Sequence, residues 1–257
     1  MKDTIVENLK KLEQQNDIKV IFAVESGSRS TGIPSQDSDY DVRFIYVHRL
    51  EWYLSIDEKR ETLEVPITDH LDLNGWELRK SLRLLRKSNP NLYEWLHSGI
   101  QYAKVTTFLE KMNSLEREAF SAKPTLFHYL NMAKRNATDF FHSEIIKTKN
   151  YFYVLRPVLA CLWIEKYRTF PPNELRNLVP KLIQTAEIKQ EIETIIERKV
   201  AGITETRKDE LQKLNQFLEL ELVRIEKVAY NWSEKKEDIT PQLNKLFREI
   251  LEEAWKE

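Results

Sequence analysis

The chain has 257 residues, and its 40 lysines and arginines nearly balance its 41 aspartates and glutamates, giving a formal net charge of −1. This balance argues against nucleic-acid binding through an overall positive field, so any polynucleotide contact must come from a local basic patch. A single cysteine, Cys161, excludes a disulfide within the chain. With no signal pattern and no long apolar run, the sequence predicts a soluble, cytoplasmic protein with one large domain or two smaller ones.

The N-terminal segment predicts a helix followed by a strand. In residues 4–15, Ile5, Leu9 and Leu12 recur at helical spacing among charged residues, as expected of a surface helix with one buried stripe. Residues 18–24 form a short segment that is apolar except for Lys19 and rich in β-branched side chains, which indicates a strand.

Residues 39–47 predict a second strand that carries two carboxylates on one face. Side chains alternate along a strand, so Asp39, Asp41 and Arg43 project together, away from the core. Neighbouring carboxylates repel each other unless a cation such as Mg²⁺ binds them and leaves positions open for substrate phosphates. The preceding Gly27-Ser28 turn offers backbone N–H groups and a hydroxyl, which suit a phosphate. The stretch therefore predicts a phosphate-binding turn beside a metal-binding pair of acids.

Other interpretations of this acidic stretch are weaker. A solvated surface turn stays open as an alternative. A calcium-binding loop starting at Asp37 would need glycine at its sixth position and glutamate at its twelfth, where Val42 and His48 stand. A P-loop is excluded because no Gly-Lys-Ser/Thr follows the glycines.

The same residues resemble the signature of the DNA polymerase β-type nucleotidyltransferase superfamily, a Gly-Ser pair followed by a loop and Asp-x-Asp on a strand. Ten residues separate Gly27-Ser28 from Asp39-x-Asp41. Further segments are similar to the RNA-repair-associated polymerase-β-like subgroup, although Thr31 stands where that subgroup often has an aromatic residue. The similar segments are residues 25–29, 37–46, 72–80, 88–90, 153–157 and 163–166.

The resemblance implies a third acid on a neighbouring strand, acting as general base and helping to hold one metal. Residues 62–73 predict a strand pair or one bent strand, restricted by Pro66 to an edge or a bulge. Asp72 is the preferred third acid because its flanking leucines mark the opposite face as core, and Asp69 is the alternative. His70 is expected to be a structural hydrogen-bonding group.

A basic helix is predicted at residues 76–87, directly after Asn74-Gly75 ends the strand. Most of its charge would be solvated, but its first turn would lie near the third acid, so Arg79 or Lys80 is expected to reach a triphosphate or an RNA phosphate, and Lys80 is the preferred residue. The other elements expected in this half are an edge strand at residues 52–56, a helix restarting at Asn89-Pro90 and a last strand at residues 100–105.

From residue 106 the apolar periodicity is helical almost to the end of the chain. The sequence therefore predicts an α+β protein with two domains. A mixed β-sheet nucleotidyltransferase domain with flanking helices would cover residues 1–105, and an all-α, substrate-binding domain would cover residues 106–257. No motif in residues 176–257 indicates a ligand.

The resemblance implies that an NMP is moved from an NTP, by default ATP, to an acceptor hydroxyl, in the first place on an RNA end. Mg²⁺, or alternatively Mn²⁺, would be the metal. Asp39, Asp41 and Asp72 would be both the catalytic residues and the metal ligands. The nucleotide would be bound by Gly27, Ser28, Arg29, Arg43 and Lys80. An ion pair that organises Asp39 or Asp41 is the alternative role for Arg43.

Several other functions stay open. The acceptor could be a protein side chain, as in antitoxin-type transferases, or a small molecule such as an aminoglycoside. The near-neutral charge favours this version, whereas the basic helix favours RNA. A helical RNase module is a different class, suggested by Arg135 and His142 one heptad apart on one helix face. The last alternative is a fold that binds a nucleotide without catalysing a reaction. The presence of all three acids argues against it, because binding alone would not need them.

Overall fold

The computed structural model describes residues 1–68, 70–234 and 237–256, without the side chain of Asp139. Its contacts divide the chain into two compact units, each formed from more than one segment. The first is Met1–Ser30, Asp39–Phe120 and Lys236–Glu257, and the second is Thr31–Ser38 and Ser121–Lys235. The first unit thus extends past the expected boundary at residue 105 and takes in the C-terminal segment. The division of the chain into one domain that is catalytic and another that binds the substrate remains a proposal.

The first unit is built on a mixed sheet of five strands, which confirms the expected α+β class. The strands are β1 (Ile18–Glu25), β2 (Tyr40–His48), β3 (Thr62–Glu64), β4 (Leu71–Glu77) and β5 (Gln101–Lys104). Their order is β3-β4-β2-β1-β5. β2 pairs antiparallel with β1 and parallel with β4, while β5 and β3 pair antiparallel at the two edges. The first two strands and the last one lie where the sequence predicted them.

Helices of the first unit flank this sheet. They are α1 (Lys2–Asn16), α2 (Gly27–Ser30), α3 (Leu50–Tyr53), α4 (Leu78–Arg86), α5 (Pro90–Leu96) and α6 (Thr106–Ala119), with the C-terminal Thr240–Ala254 described below. The predicted stripe of α1 (Ile5, Leu9, Leu12) is buried in one core with Val42 and Phe44 of β2. One face of the sheet is therefore covered, and the acids of β2 and β4 lie on its other face.

The expected end of a strand at Asn74-Gly75 is wrong, because β4 continues through this dipeptide to Glu77. Gly75 is paired with Phe44 across the parallel β2–β4 ladder. A Cβ atom at Gly75 would lie 2.2 Å from Cε2 of Phe44, so the glycine makes room for the ring. The glycine is thus a packing requirement inside a strand rather than a turn signal.

Residues 52–56 do not form the expected edge strand, because α3 covers part of that segment. Aromatic packing fixes this turn. The Trp52 indole stacks on the His48 imidazole with centroids 4.2 Å apart, and the Tyr53 hydroxyl donates to Glu77 Oε1 at 2.5 Å. Asn89 caps α5 as expected, with its Oδ1 accepting from the backbone N–H of Leu92.

Acid pH is expected to destabilise the first unit through His48. Burial, and to a smaller extent the charge of Lys59, lower the pKa of His48 from its usual 6.5 to about 4, although Asp17 acts in the opposite direction. Between those two pH values the unfolded chain binds the proton and the folded chain does not, so the free energy of unfolding falls as pH decreases from about 6.5 to about 4. His48→Gln should show a smaller decline in urea denaturation between pH 7 and pH 4. The same pH dependence in both proteins would contradict this assignment.

The second unit is mainly helical, as predicted. Its helices are α7 (Ala122–Phe140), α8 (Thr148–Tyr167), α9 (Leu175–Leu182), α10 (Ala186–Val200) and α11 (Gln212–Tyr230), and α12 (Thr240–Ala254) returns to the first unit. Two short strands, β6 (Ile145–Lys147) and β7 (Glu205–Arg207), form an antiparallel pair that the sequence did not predict. A 3₁₀ turn, Lys208–Leu211, directly precedes α11.

Two further observations concern this unit. Cys161, the single cysteine, is buried, and its thiol donates to the Leu126 carbonyl at 3.7 Å. His142 follows the end of α7 at Phe140, so it does not share a helix face with Arg135. The helical RNase hypothesis therefore loses the geometry on which it depended. Across the described part of the chain, none of the helices combines the length and the apolar character needed to cross a membrane.

Candidate active site

Parallel pairing of β2 with β4 brings two of the three predicted acids face to face. Asp41 is opposite Asp72 in the ladder. Arg43, two residues along β2, lies between them, with Nη2 at 2.7 Å from Asp72 Oδ2 and 3.4 Å from Asp41 Oδ1. A second guanidinium nitrogen, Nη1, donates to the carbonyls of Val42 and Asp72. Arg43 thus bridges the acids as the sequence analysis allowed, and its contact with substrate stays a prediction.

Asp39 lies just before β2 and is turned toward a histidine. Its Oδ1 is 2.9 Å from Nδ1 of His70, and its side chain is 58% exposed. His70 has a left-handed backbone with φ of 62°, and its carbonyl accepts from the N–H of Tyr40 at 2.7 Å. The expectation that His70 is a structural hydrogen-bonding group agrees with these contacts. Asp69, the alternative third acid, lies outside the described residues.

The glycine-serine turn packs directly against Asp41. Gly27 has φ of 59°, and a Cβ atom there would lie 2.0 Å from Asp41 Oδ2. Ser28 and Arg29 follow in the single turn of α2. The Arg29 guanidinium lies 3.8 Å from the Tyr40 ring centroid, and its Nε donates to the Asp39 carbonyl. The predicted phosphate-binding turn therefore lies against the predicted metal-binding acids.

The donor set suits a hard divalent cation. Burial raises the pKa of Asp41, and although Arg43 lowers it, the charges of Asp72 and Asp39 raise it again. A bound divalent cation would relieve this repulsion through carboxylate oxygens, which Mg²⁺ and Mn²⁺ favour. In the described ranges no three His, Cys, Asp or Glu side chains are arranged to hold one metal ion. Arg43 contacts Asp41 and Asp72, and His70 contacts Asp39, so these two side chains lie next to the oxygens that would bind the cation.

One residue of this site, Glu25, was missed by the sequence analysis. It ends β1, its side chain is fully buried, and its Oε1 accepts from the backbone N–H of Asp41 at 2.9 Å. Its Oε2 accepts from the hydroxyl of Tyr102, and burial raises the pKa of this carboxyl. Glu25 thereby fixes the position of Asp41 in the ladder. A glutamate directly after the apolar residues 20–24 was the available signal.

Loss of the Tyr102 hydroxyl is expected to destabilise the protein. Tyr102→Phe leaves the buried Glu25 carboxyl without this donor, and bonds to charged groups are each worth about 1.5–3 kcal/mol. The free energy of unfolding from urea titration should fall by about that amount. Tyr230→Phe is the matched control, since that tyrosine is 71% exposed and should change little. An equal effect of the two substitutions would refute the proposed support of Asp41.

The structure does not bring Lys80 to the acids. Leu78, the first residue of α4, follows Asp72 by six positions, which is about 20 Å along an extended strand. The premise that the basic helix begins directly after the third acid is therefore wrong. Lys80 Nζ instead lies 5.6 Å from the centroid of the Trp76 ring. Its binding to a nucleotide stays a prediction.

Comparisons with known proteins identify the family of the chain. A model of RlaP, described as the RNA repair pathway DNA polymerase beta family, matches residues 1–249. The uncharacterized protein YcgL of Bacillus subtilis (strain 168) is 48% identical over 257 residues, which covers all of this chain and 99% of that protein. A crystal structure of a nucleotidyltransferase-like protein from Exiguobacterium sibiricum 255-15 aligns with 13% identity and a TM-score of 0.33, over 98% of this chain and 81% of that chain.

Proposed function

Because the chain belongs to the RNA repair pathway DNA polymerase beta family, we propose that it is a cytoplasmic, metal-dependent nucleotidyltransferase that moves an NMP from an NTP to a hydroxyl on an RNA end. The observation that carries the proposal is the meeting of Asp41 and Asp72 across β2 and β4, beside the Gly27-Ser28 turn. Acids next to a phosphate-binding turn are the arrangement that phosphoryl transfer requires.

Each residue at the site has a role in this reaction. Asp39, Asp41 and Asp72 would hold Mg²⁺ or Mn²⁺, which supplies charge stabilisation at the phosphates when bound. Asp72 accepts the proton of the acceptor hydroxyl, and the resulting oxygen attacks the α-phosphorus. The bond from the α-phosphorus to the bridging oxygen breaks, and pyrophosphate leaves. Backbone N–H groups at Gly27 and the Ser28 hydroxyl bind the outgoing phosphates.

The two arginines supply positive charge at this centre. Arg43, which contacts Asp41 and Asp72, would neutralise charge on the transferring phosphoryl group. Arg29, held over the Tyr40 ring, contacts the triphosphate from the side of the turn. Lys80 would reach only a more distant part of the substrate. ATP is the proposed donor.

A direct assay tests the function and identifies the acceptor. Purified protein is incubated with each α-labelled NTP, Mg²⁺ or Mn²⁺ and bulk RNA, beside the Asp39→Asn/Asp41→Asn double variant. We expect label in RNA with the intact acids and none with the variant or with EDTA. Label on protein would instead indicate a side-chain acceptor, and label on an added aminoglycoside a small-molecule acceptor. No transfer to any of these acceptors would overturn the proposal.

A further inference from the structure

A cavity of about 320 Å³ lies beside Arg43, the residue that bridges the two acids, and is entirely within the first unit. Strand alternation places Asn74 and Trp76 on the same face of β4 as Asp72. Its principal lining residues are Arg43, Asn74, Trp76, Asn91, Glu94 and Trp95. The volume is at the lower end of the range of about 300–1,000 Å³ that small-molecule sites occupy, so it suits one compact group.

The lining combines aromatic rings with amides and a carboxylate. Trp76 of β4 and Trp95 of α5 stack with centroids 3.8 Å apart and an interplanar angle of 29°. Trp95 is only 4% exposed, so this stack is a rigid wall. The side-chain amides of Asn74 and Asn91 both donate and accept hydrogen bonds. Aromatic rings stack on nucleobases, and asparagine amides pair with base edges or ribose hydroxyls, so the chemistry is that of a nucleoside site.

Spacing along β4 relates this cavity to the reaction. Successive residues on one face are about 6.6 Å apart, so Asn74 lies one such step from Asp72 and Trp76 lies two. A ribose beside Asn74 would present a hydroxyl to Asp72 and direct its base to Trp76. A nucleoside therefore fits the row of three side chains in one orientation.

We propose that this cavity is a nucleoside subsite in which Trp76 and Trp95 contact the base and Asn74 and Asn91 bind its polar edge or the ribose. This inference rests on the proposed function for its acceptor assignment, in which the terminal nucleoside of the RNA places its hydroxyl at Asp72. The nucleoside of the NTP offers the same base and ribose groups and is the alternative occupant of the cavity.

Binding without turnover tests the subsite. The probes are adenosine, guanosine, cytidine and uridine, each titrated in EDTA into wild-type protein and followed by saturation-transfer NMR. At least one should bind, and Trp76→Leu should weaken it about 10-fold or more, as expected for a lost stacking partner. Trp52→Leu, the same change at the tryptophan stacked on His48, should bind as wild type.

A second variant keeps the test independent of packing around Trp76. Asn91 is exposed in the first turn of α5, where a carboxylate is compatible with the helix dipole, so Asn91→Asp should fold normally. It removes an amide donor and should alter the order of preference among the four nucleosides. No binding by wild-type protein, or unchanged binding by both cavity variants, would overturn the subsite.

Steady-state kinetics distinguish the two sources of the nucleoside. If the acceptor occupies the cavity, Trp76→Leu and Asn91→Asp raise KM for RNA and leave KM for the NTP unchanged. If the two substitutions instead raise KM for the NTP and leave KM for RNA unchanged, the subsite binds the donor nucleoside. Nucleoside binding that persists in a protein without transfer activity would overturn the proposed function alone, because the titration needs neither metal nor turnover.

Discussion

Gly27→Ala is expected to reduce nucleotidyl transfer at least about 100-fold, with only a modest loss of stability. The added Cβ would lie 2.0 Å from Asp41 Oδ2, so the turn and the acid cannot both keep their positions. Removing a residue that only hydrogen-bonds a metal ligand typically lowers metal affinity or activity about 10–100-fold. Here a proposed ligand itself is displaced, so the loss of activity should be larger. The loss should match that of Asp41→Asn in the label-transfer assay.

The control for this prediction separates crowding from backbone strain. Gly202 has a similar left-handed backbone, with φ of 76°, but nothing lies within 4 Å of a Cβ atom there. Gly202→Ala should therefore cost stability through its φ angle and leave transfer near the wild-type rate. Comparable transfer by Gly27→Ala and Gly202→Ala would show that the turn does not act through Asp41.

Gly75→Ala is expected to cause the larger loss of stability, about 3 kcal/mol. Its Cβ would lie 2.2 Å from Cε2 and 2.4 Å from Cζ of Phe44, and that ring is fully buried. Overpacking of a core typically costs about 1–3 kcal/mol, and a clash with a ring that cannot move belongs at the upper end. Urea denaturation measures the loss in the free energy of unfolding.

The matched substitution for Gly75→Ala is Gly99→Ala. A Cβ at Gly99 meets nothing within 4 Å, so this change should alter the free energy of unfolding by less than about 0.5 kcal/mol. If Gly75→Ala were as well tolerated, β4 would not pass beside Phe44 as described, and the register that sets Asp72 opposite Asp41 would be in doubt.

Gly75 shows which parts of the fold could be predicted from local sequence and which could not. β1 and β2 were predictable because alternation and β-branched residues are local signals. Gly75 was misinterpreted as a strand end, since its requirement comes from Phe44 on another strand, 31 positions earlier in the chain. Local propensity favours a turn at Asn-Gly, and the tertiary contact overrides it.

The same limit applies to the site. The spacing of Gly27-Ser28 and Asp39-x-Asp41 was visible in one stretch, and leucines flanking Asp72 predicted which face of its strand it occupies. The position of Arg43 between Asp41 and Asp72 required the parallel pairing of β2 with β4. Periodicity within one segment carries no information on which strands become neighbours.

The role of Glu25 and the place where α12 packs could not be predicted for a related reason. The partners of Glu25 are the Tyr102 hydroxyl and the Asp41 backbone, which reach it from two other strands. α12 returns to the first unit, where Lys111 of α6 pairs with Glu249 and Glu253. The apolar periodicity of a helix predicts which of its faces is buried, but it does not predict which other element packs against that face.

The most direct test of the account compares ATP labelled at the α-phosphate with ATP labelled at the γ-phosphate. With Mg²⁺ and RNA, wild-type protein should transfer the α label to the acceptor and release the γ label as pyrophosphate, and Asp41→Asn should do neither. Transfer of the γ label to the acceptor would indicate a kinase. That result, or full activity of Asp41→Asn, would contradict nucleotidyl transfer at the acids of β2 and β4.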